Sequence, residues 1–231
     1  MQLVNVANNK RKLYLFIRDN KGELQIIEKN DFFPYFYASD ETGDYQSYKG
    51  LPLRKVFVSN PADVTKSRNN DSYEADVLFV KRYLIDKVDK IDKTIPKYAF
   101  IDIEILSDEL PNVQEAKFPV SCISVYNSLY KSIQTFYLED YENDYQLIDD
   151  FIKYMSKEKF DLWFSWNVKF DYDYLFNRIE GIKDKNGLNF ASQISPIKQS
   201  RYGGEVYYPA GISIIDYLAW FKKFTFNRDR G

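Results

Sequence analysis

Over its first 38 residues the chain patterns as sheet. Leu13–Arg18 and Leu24–Glu28 are predicted strands. They flank Asp19-Asn20-Lys21-Gly22, a turn sequence with glycine where a left-handed conformation is needed. Phe32–Tyr37 continues as an extended piece, and Pro34 marks an edge or a bend in it. The polar stretch Ser39–Gly50 reads as loop and Leu53–Ser59 as a further strand. Asn60-Pro61-Ala62-Asp63 reads as a helix start capped by Asn60. Residues 69–86 are mixed and the charged run 86–93 reads as a linker, so a domain boundary is expected near Pro96.

Beyond that point the periodicity changes. Strands are expected at 98–106, 119–126 and 132–138. A helix is expected over 144–157, where Leu147, Ile148, Phe151, Ile152 and Met155 form one apolar stripe. Leu162–Trp166 is a strand and Tyr172–Ile179 a helix. Glu205–Tyr208 and Ile212–Ile215, joined by Pro209-Ala210-Gly211, read as a hairpin. Three strands, a helix, a strand and a helix match a ribonuclease-H-like core. The expected fold class is α/β (α+β): a mixed-sheet ribonuclease-H-like core over residues 97–231, preceded by a smaller β-rich N-terminal domain over residues 1–96.

Composition narrows the chemistry. The 231 residues hold no histidine, which excludes Ser-His and Cys-His triads and the usual zinc hydrolases. The formal charge of -2, from 32 basic and 34 acidic residues, is not that of a protein coating duplex DNA through its phosphates. Tyr and Phe are abundant, at 20 and 18, which suits sheets and base stacking alike. Cys122 has no partner for a disulfide and reads as a buried, reduced thiol. No stretch is apolar for the ~18 residues a membrane span needs, so a soluble, cytoplasmic protein is expected, in the host cytoplasm if viral.

The most informative segment is Tyr98–Ile105. Asp102 and Glu104 stand two apart on a predicted strand and share a face, while Ile101, Ile103 and Ile105 point the other way. Two carboxylates in an apolar setting are costly unless a cation lies between them. A divalent metal is the usual answer, and phosphoryl chemistry its usual use. A second segment, Trp163–Asp171 followed by Tyr174–Ile179, reads as a strand turning into a helix with Asp171 at its start. An acid there faces a site at the strand's end.

Asp102-Ile103-Glu104 resembles the first exonuclease motif of family B DNA polymerases. Trp166-Asn167 through Phe170-Asp171, with Tyr174-Leu175 to Arg178, resembles the second. Phe33–Tyr37, Pro52–Phe57 and Lys81–Asp86 look like the N-terminal domain of the same enzymes in their archaeal and T-even phage forms, and Gly211–Tyr217 and Lys222–Phe226 look phage-like. The resemblance runs nearly end to end. It implies the N-terminal and proofreading portion of a replicative DNA-directed DNA polymerase, viral in origin, that removes mispaired 3′ nucleotides. In this family two divalent ions, roughly 4 Å apart, activate water and stabilise the leaving oxygen. By carry-over Asp102, Glu104 and Asp171 are the catalytic and metal-binding set. Asp102 would bridge the metals, Glu104 would hold one and orient the water, and Asp171 would act behind them or through water. Asn167 and Phe170 would hold terminal nucleotides. Tyr202, in Arg201–Glu205, falls where phage relatives carry a hairpin that parts primer from template. The all-oxygen set suits Mg²⁺ or Mn²⁺. The implied partners are single-stranded DNA and primer–template 3′ ends, the palm, fingers and thumb, and a sliding clamp reached through other regions.

Two departures qualify this. The family has three residues between the motif-two Asn and Phe-Asp, whereas only Val168 and Lys169 intervene here. The third motif, with its Tyr and last metal-binding Asp, is expected downstream of Gly231, so the chain is expected to be an excised or truncated piece, or one piece of a split polymerase, weak or inactive alone. The alternative is a non-catalytic nucleic-acid-binding or assembly module. Taken singly, an Asp-x-Glu pair is more often a solvated strand edge and Asp171 an ordinary helix-start acid. Asp216 reads as structural, though able to approach the site. Asn60–Arg68 resembles part of the pocket wall with which archaeal relatives read template uracil, with Pro34 nearby; no tyrosine equivalent stands near Val6, so at most a vestigial pocket is implied.

Overall fold

The computed structural model describes residues 2–180 and 188–225. The chain forms two compact units, Met1–Asp19 with Gln25–Thr94, and Asn20–Leu24 with Ile95–Gly231.

In the first unit, β1 (Leu3–Asn9), β2 (Lys12–Arg18) and β3 (Leu24–Lys29) form one sheet in that order. The middle strand's run Leu13-Tyr14-Leu15-Phe16 is buried on both faces, which explains its unbroken hydrophobicity. The turn that follows places Gly22 at φ +83, the left-handed conformation that glycine supplies without strain. β4 (Tyr35–Ser39), β5 (Tyr45–Gln46), β6 (Pro52–Phe57) and β7 (Ser72–Tyr73) form a second sheet in the order β5-β6-β4-β7. α1 (Pro61–Ser67) starts where expected: Pro61 opens it, and the Asn60 N–H donates to the Asp63 carboxylate at 3.2 Å. α2 (Phe79–Lys87) occupies the segment whose sequence looked mixed. Its Phe79 and Tyr83 pack with Leu13, Leu15, Phe32 and Tyr35, while the buried cation Arg82 hides the apolar stripe.

The second unit is a mixed-sheet α/β fold. β8 (Tyr98–Ile105), β9 (Val120–Asn127) and β10 (Ser132–Tyr137) are followed by a 3-10 turn and α3 (Asp144–Glu158), then β11 (Leu162–Ser165) and α4 (Val168–Arg178). After α5 (Phe190–Ile194) come β12 (Ser200–Tyr202), β13 (Tyr207–Pro209), β14 (Ser213–Asp216) and α6 (Tyr217–Thr225). The main sheet runs β10-β9-β8-β11-β14. β9 is antiparallel to both its neighbours, and β11 is parallel to both of its own. Asn143 caps α3 by accepting the Gln146 N–H at 3.1 Å. The predicted stripe from Leu147 to Met155 packs with Ala99, Ile101, Ile103 and Trp163 into the core.

The predicted hairpin does not form. Residues 205–208 and 212–215 do not pair as a hairpin. β13 turns back onto β12 instead, and β14 joins the main sheet beside β11. The Gly203-Gly204 pair decides this. Gly204 has φ +107, and a Cβ on Gly203 would lie 2.3 Å from the Tyr208 ring, so only glycine closes that turn. The helix at 172–179 starts earlier, at Val168. Cys122 is half-buried rather than buried. Of the phage-like stretch Lys222–Phe226, Phe226 lies outside the described residues. No helix among the described residues is long and apolar enough to cross a membrane.

Candidate functional site

The site is built from the ends of three strands. On β8, Ala99, Ile101 and Ile103 are buried against the helices, while Tyr98, Phe100, Asp102 and Glu104 alternate onto the other face. Asp102 stands opposite Ser124 of β9 and Glu104 opposite Cys122, with a register shift immediately after Glu104. Both carboxylates are exposed.

β11 supplies the second wall. Trp163 is fully buried, and its indole N–H donates to the Ser165 hydroxyl at 2.9 Å, which donates to the Ile101 carbonyl at 3.0 Å. This chain of bonds pins the end of β11 to β8. The chain then turns at Asn167, whose carbonyl accepts the Phe170 and Asp171 N–H groups, both at 2.9 Å. The short two-residue spacing therefore still delivers Asp171 into the first turn of α4.

Asp171 is only 4% exposed, and its Oδ2 has no hydrogen-bond partner. Burial, then the charge of Asp102, push its carboxyl up to about 7. The Asn167 backbone and the Ser165 hydroxyl pull the other way, and Asp216 adds a further upward push. Asp216 ends β14 opposite Ser165 in the parallel pairing, and its Oδ1 accepts the Ala219 N–H at 2.9 Å. It therefore caps α6 and also contributes to the field at Asp171. Parallel pairing of β14 with β11 creates this neighbour. The only local signal is an apolar strand ending in an acid, the same signal that β8 shows.

The remaining predicted residues surround this point unevenly. Asn167 is exposed and its side chain makes no capping bond. Phe170 is half-buried, its ring 5.9 Å from Tyr174. Tyr202 is 63% exposed on the β12–β13 hairpin, its hydroxyl donating to the Gly204 carbonyl and its ring 5.2 Å from Tyr207. That hairpin is tied to α4: the Tyr172 hydroxyl donates to the Tyr207 carbonyl at 2.7 Å, and Tyr172 stacks on Tyr208. Asp173, not singled out by the sequence, is buried beneath the hairpin. Burial and then Glu205 push its carboxyl up to about 6.

The donors are hard oxygens of the type Mg²⁺ and Mn²⁺ take. The orphaned Asp171 Oδ2 and the nearby Asp102 fit a divalent cation. Among the described residues, however, no three carboxylates gather closely enough to grip one ion together. In the first unit, Pro34, Tyr35, Pro61, Val64, Arg68 and Phe79 help line a cavity of about 350 Å³.

Residues 88–229 match the family described as DNA polymerase family B, exonuclease domain. The chain is 26% identical over 257 residues to the DNA-directed DNA polymerase of Escherichia phage RB69, covering 87% of this chain and 28% of that protein. It is 27% identical over 229 residues to the DNA polymerase of Thermococcus kodakarensis, covering 80% of this chain and 13% of that one. The solved family B DNA polymerase of the archaeon Pyrobaculum calidifontis superposes with a TM-score of 0.73 at 18% identity, over 97% of this chain and 38% of that chain. The chain thus spans less than a third of the length of these curated relatives.

Proposed function

The chain belongs to DNA polymerase family B through its exonuclease domain, and from that premise we propose that it is the editing portion of a replicative polymerase, removing mispaired 3′ nucleotides by two-metal hydrolysis. The supporting observation is Asp171, buried with an unpaired oxygen beside Asp102 at the ends of β8 and β11. Asp102 and Asp171 would hold a cation, with Glu104 on the same strand face as Asp102. When bound, Mg²⁺ or Mn²⁺ supplies Lewis-acid activation of water and neutralises charge on the phosphate. Phe170 would stack on the terminal base, Asn167 would orient its sugar-phosphate, and Tyr202 would stand at the fork between primer and template. The substrates would be single-stranded DNA and primer–template 3′ ends. Palm, fingers and thumb would supply polymerisation, and a sliding clamp would join through other regions. The setting would be the host cytoplasm of a virus.

Digestion of 3′-labelled single-stranded DNA with Mg²⁺ or Mn²⁺, beside an Asp102→Ala control, tests this. Slow or absent trimming by the chain alone is expected, and any trimming should vanish in the control. Trimming that survives Asp102→Ala would sink the site assignment. Robust trimming would sink the expectation that the chain is weak alone. For the cavity in the first unit, the vestigial-pocket reading expects a modest preference for uracil-containing single strands. Equal affinity for uracil-free strands would dispose of it.

A second reading, an assembly module docking another polypeptide, is favoured by one surface. Parallel strands are ordinarily covered on both faces. Here Tyr98, Phe100, Leu162, Phe164 and Tyr217 border an open hollow of about 500 Å³. Its aromatics continue through Phe100–Tyr217 and Tyr217–Trp220 to Phe224 at centroid distances of 5.1–6.0 Å, with nothing buried on α6. A neighbouring reading frame beginning with the third exonuclease motif would favour this reading.

A further inference from the structure

Asp171 is held by few groups. Those that hydrogen-bond toward its carboxyl are the backbone of Asn167 and the hydroxyl of Ser165. Ser165 is completely buried and Asp171 nearly so. Strand periodicity explains how the hydroxyl comes to be there. Along β11, Leu162 and Phe164 border the open hollow, so Trp163 and Ser165 turn together to the buried side. Parallel pairing sets Phe164 beside Phe100 of β8, which brings Ser165 level with Ile101, one position before Asp102.

The neighbours of Ser165 limit what its hydroxyl can do. An indole N–H only donates and a carbonyl only accepts, whereas a hydroxyl carries one proton and two lone pairs. Trp163 donates to Ser165 at 2.9 Å and occupies one lone pair, while Ser165 donates to the Ile101 carbonyl at 3.0 Å. One lone pair is left, and a turn about the Cβ–Oγ bond can redirect the proton. A protonated Asp171 can donate to that lone pair, and an ionised Asp171 can accept the proton instead. Ser165 therefore has a bond to offer this acid in either state. Asp171 Oδ2, meanwhile, has no partner. A carboxylate steadied from behind presents its remaining oxygen in a fixed direction, which is what a metal ligand requires.

We propose that Ser165 is a positioning residue of the carboxylate site: its hydroxyl, itself fixed by Trp163, orients Asp171 so that Oδ2 faces a divalent cation. The role rests on the editing reading and adds to it a residue set behind the ligands. Its test is Mn²⁺ binding by the whole chain at pH 8, read from the electron paramagnetic resonance of the free ion. Removing a group that supports a metal ligand typically costs about tenfold to a hundredfold in affinity, and Ser165→Ala should lose that much. Ser165→Thr keeps the hydroxyl on a side chain suited to a strand, and should restore binding. Melting of each variant without metal, followed by circular dichroism, sets a titration temperature at which all are folded. A hydroxyl that merely satisfies Trp163 would lower the melting temperature of Ser165→Ala and leave its Mn²⁺ affinity at the parent value. That result, or an equal loss of affinity in folded Ser165→Thr, would overturn the proposal. Asp171→Asn in the same titration separates the two readings. If the parent binds no Mn²⁺, or binds it as well with Asn at position 171, the carboxylate site itself is misassigned and the role of Ser165 falls with it. Binding lost in Asp171→Asn but kept in Ser165→Ala overturns the role of Ser165 alone.

Discussion

Arg178→Ala should destabilise the second unit by about 3–5 kcal/mol, because it strands a buried carboxylate. Arg178 grips Asp144 with two bonds, Nε to Oδ2 at 2.8 Å and Nη2 to Oδ1 at 3.1 Å, and Asp144 is only 3% exposed. Bidentate pairs of this kind are among the stronger polar contacts. The same guanidinium donates through Nη1 to the carbonyls of Ala116 and Lys117, at 3.1 and 2.9 Å. Asp144 in turn accepts the Val120 N–H at 3.0 Å. One side chain thus joins α3, α4, the start of β9 and the loop before it. Its removal leaves carbonyls and a carboxylate unsatisfied together. For a unit of this size the melting temperature should fall by about 10 °C or more, read by circular dichroism. Arg178→Lys should recover only part of the loss, since an ammonium cannot span both carboxylate oxygens. A drop of less than about 2 °C would show that the pair contributes little.

Asp171→Asn should have the opposite effect above neutral pH. The carboxyl titrates near 7 in the folded chain, with burial first and Asp102 second as causes, against about 3.9 unfolded. Between those values the folded state holds a proton that the unfolded state has lost, so stability falls as pH rises from about 4 to about 7 and then levels. The neutral amide escapes that loss. The variant should match the parent near pH 4 and exceed it by about 2–4 kcal/mol at pH 8. Mn²⁺ should reverse the order: it needs the ionised carboxylate, so it should raise the parent's melting temperature at pH 8, less at pH 6, and leave the variant unmoved. A parent whose stability is flat from pH 4 to 8 would show that Asp171 is ionised throughout.

What the sequence revealed and what it hid follow from locality. Asp102 and Glu104 were legible because period two alone puts them on one face, and Asp171 because a strand-to-helix turn places it. The α3 stripe was legible for the same reason. The field of Asp216 on Asp171 was not, because parallel pairing joins residues far apart in the chain. The hairpin was misplaced because Pro209-Ala210-Gly211 looks like a turn, while the Gly203-Gly204 closure depends on the Tyr208 ring folding over it. The helix α2 was hidden by its buried Arg82, a residue whose place among Tyr35 and Tyr37 only tertiary packing explains.

The bond from Trp163 to Ser165 has an optical consequence. Of the three tryptophans, Trp166 and Trp220 are 46% and 51% exposed, and Trp163 alone is fully enclosed. Its indole N–H rests on the hydroxyl that also faces Asp171. Loss of that acid's proton would place a negative charge beside the hydroxyl on which the chromophore rests. The blue-shifted part of the emission spectrum should thus serve as a built-in indicator dye for the protonation of a single carboxyl group, readable without any label.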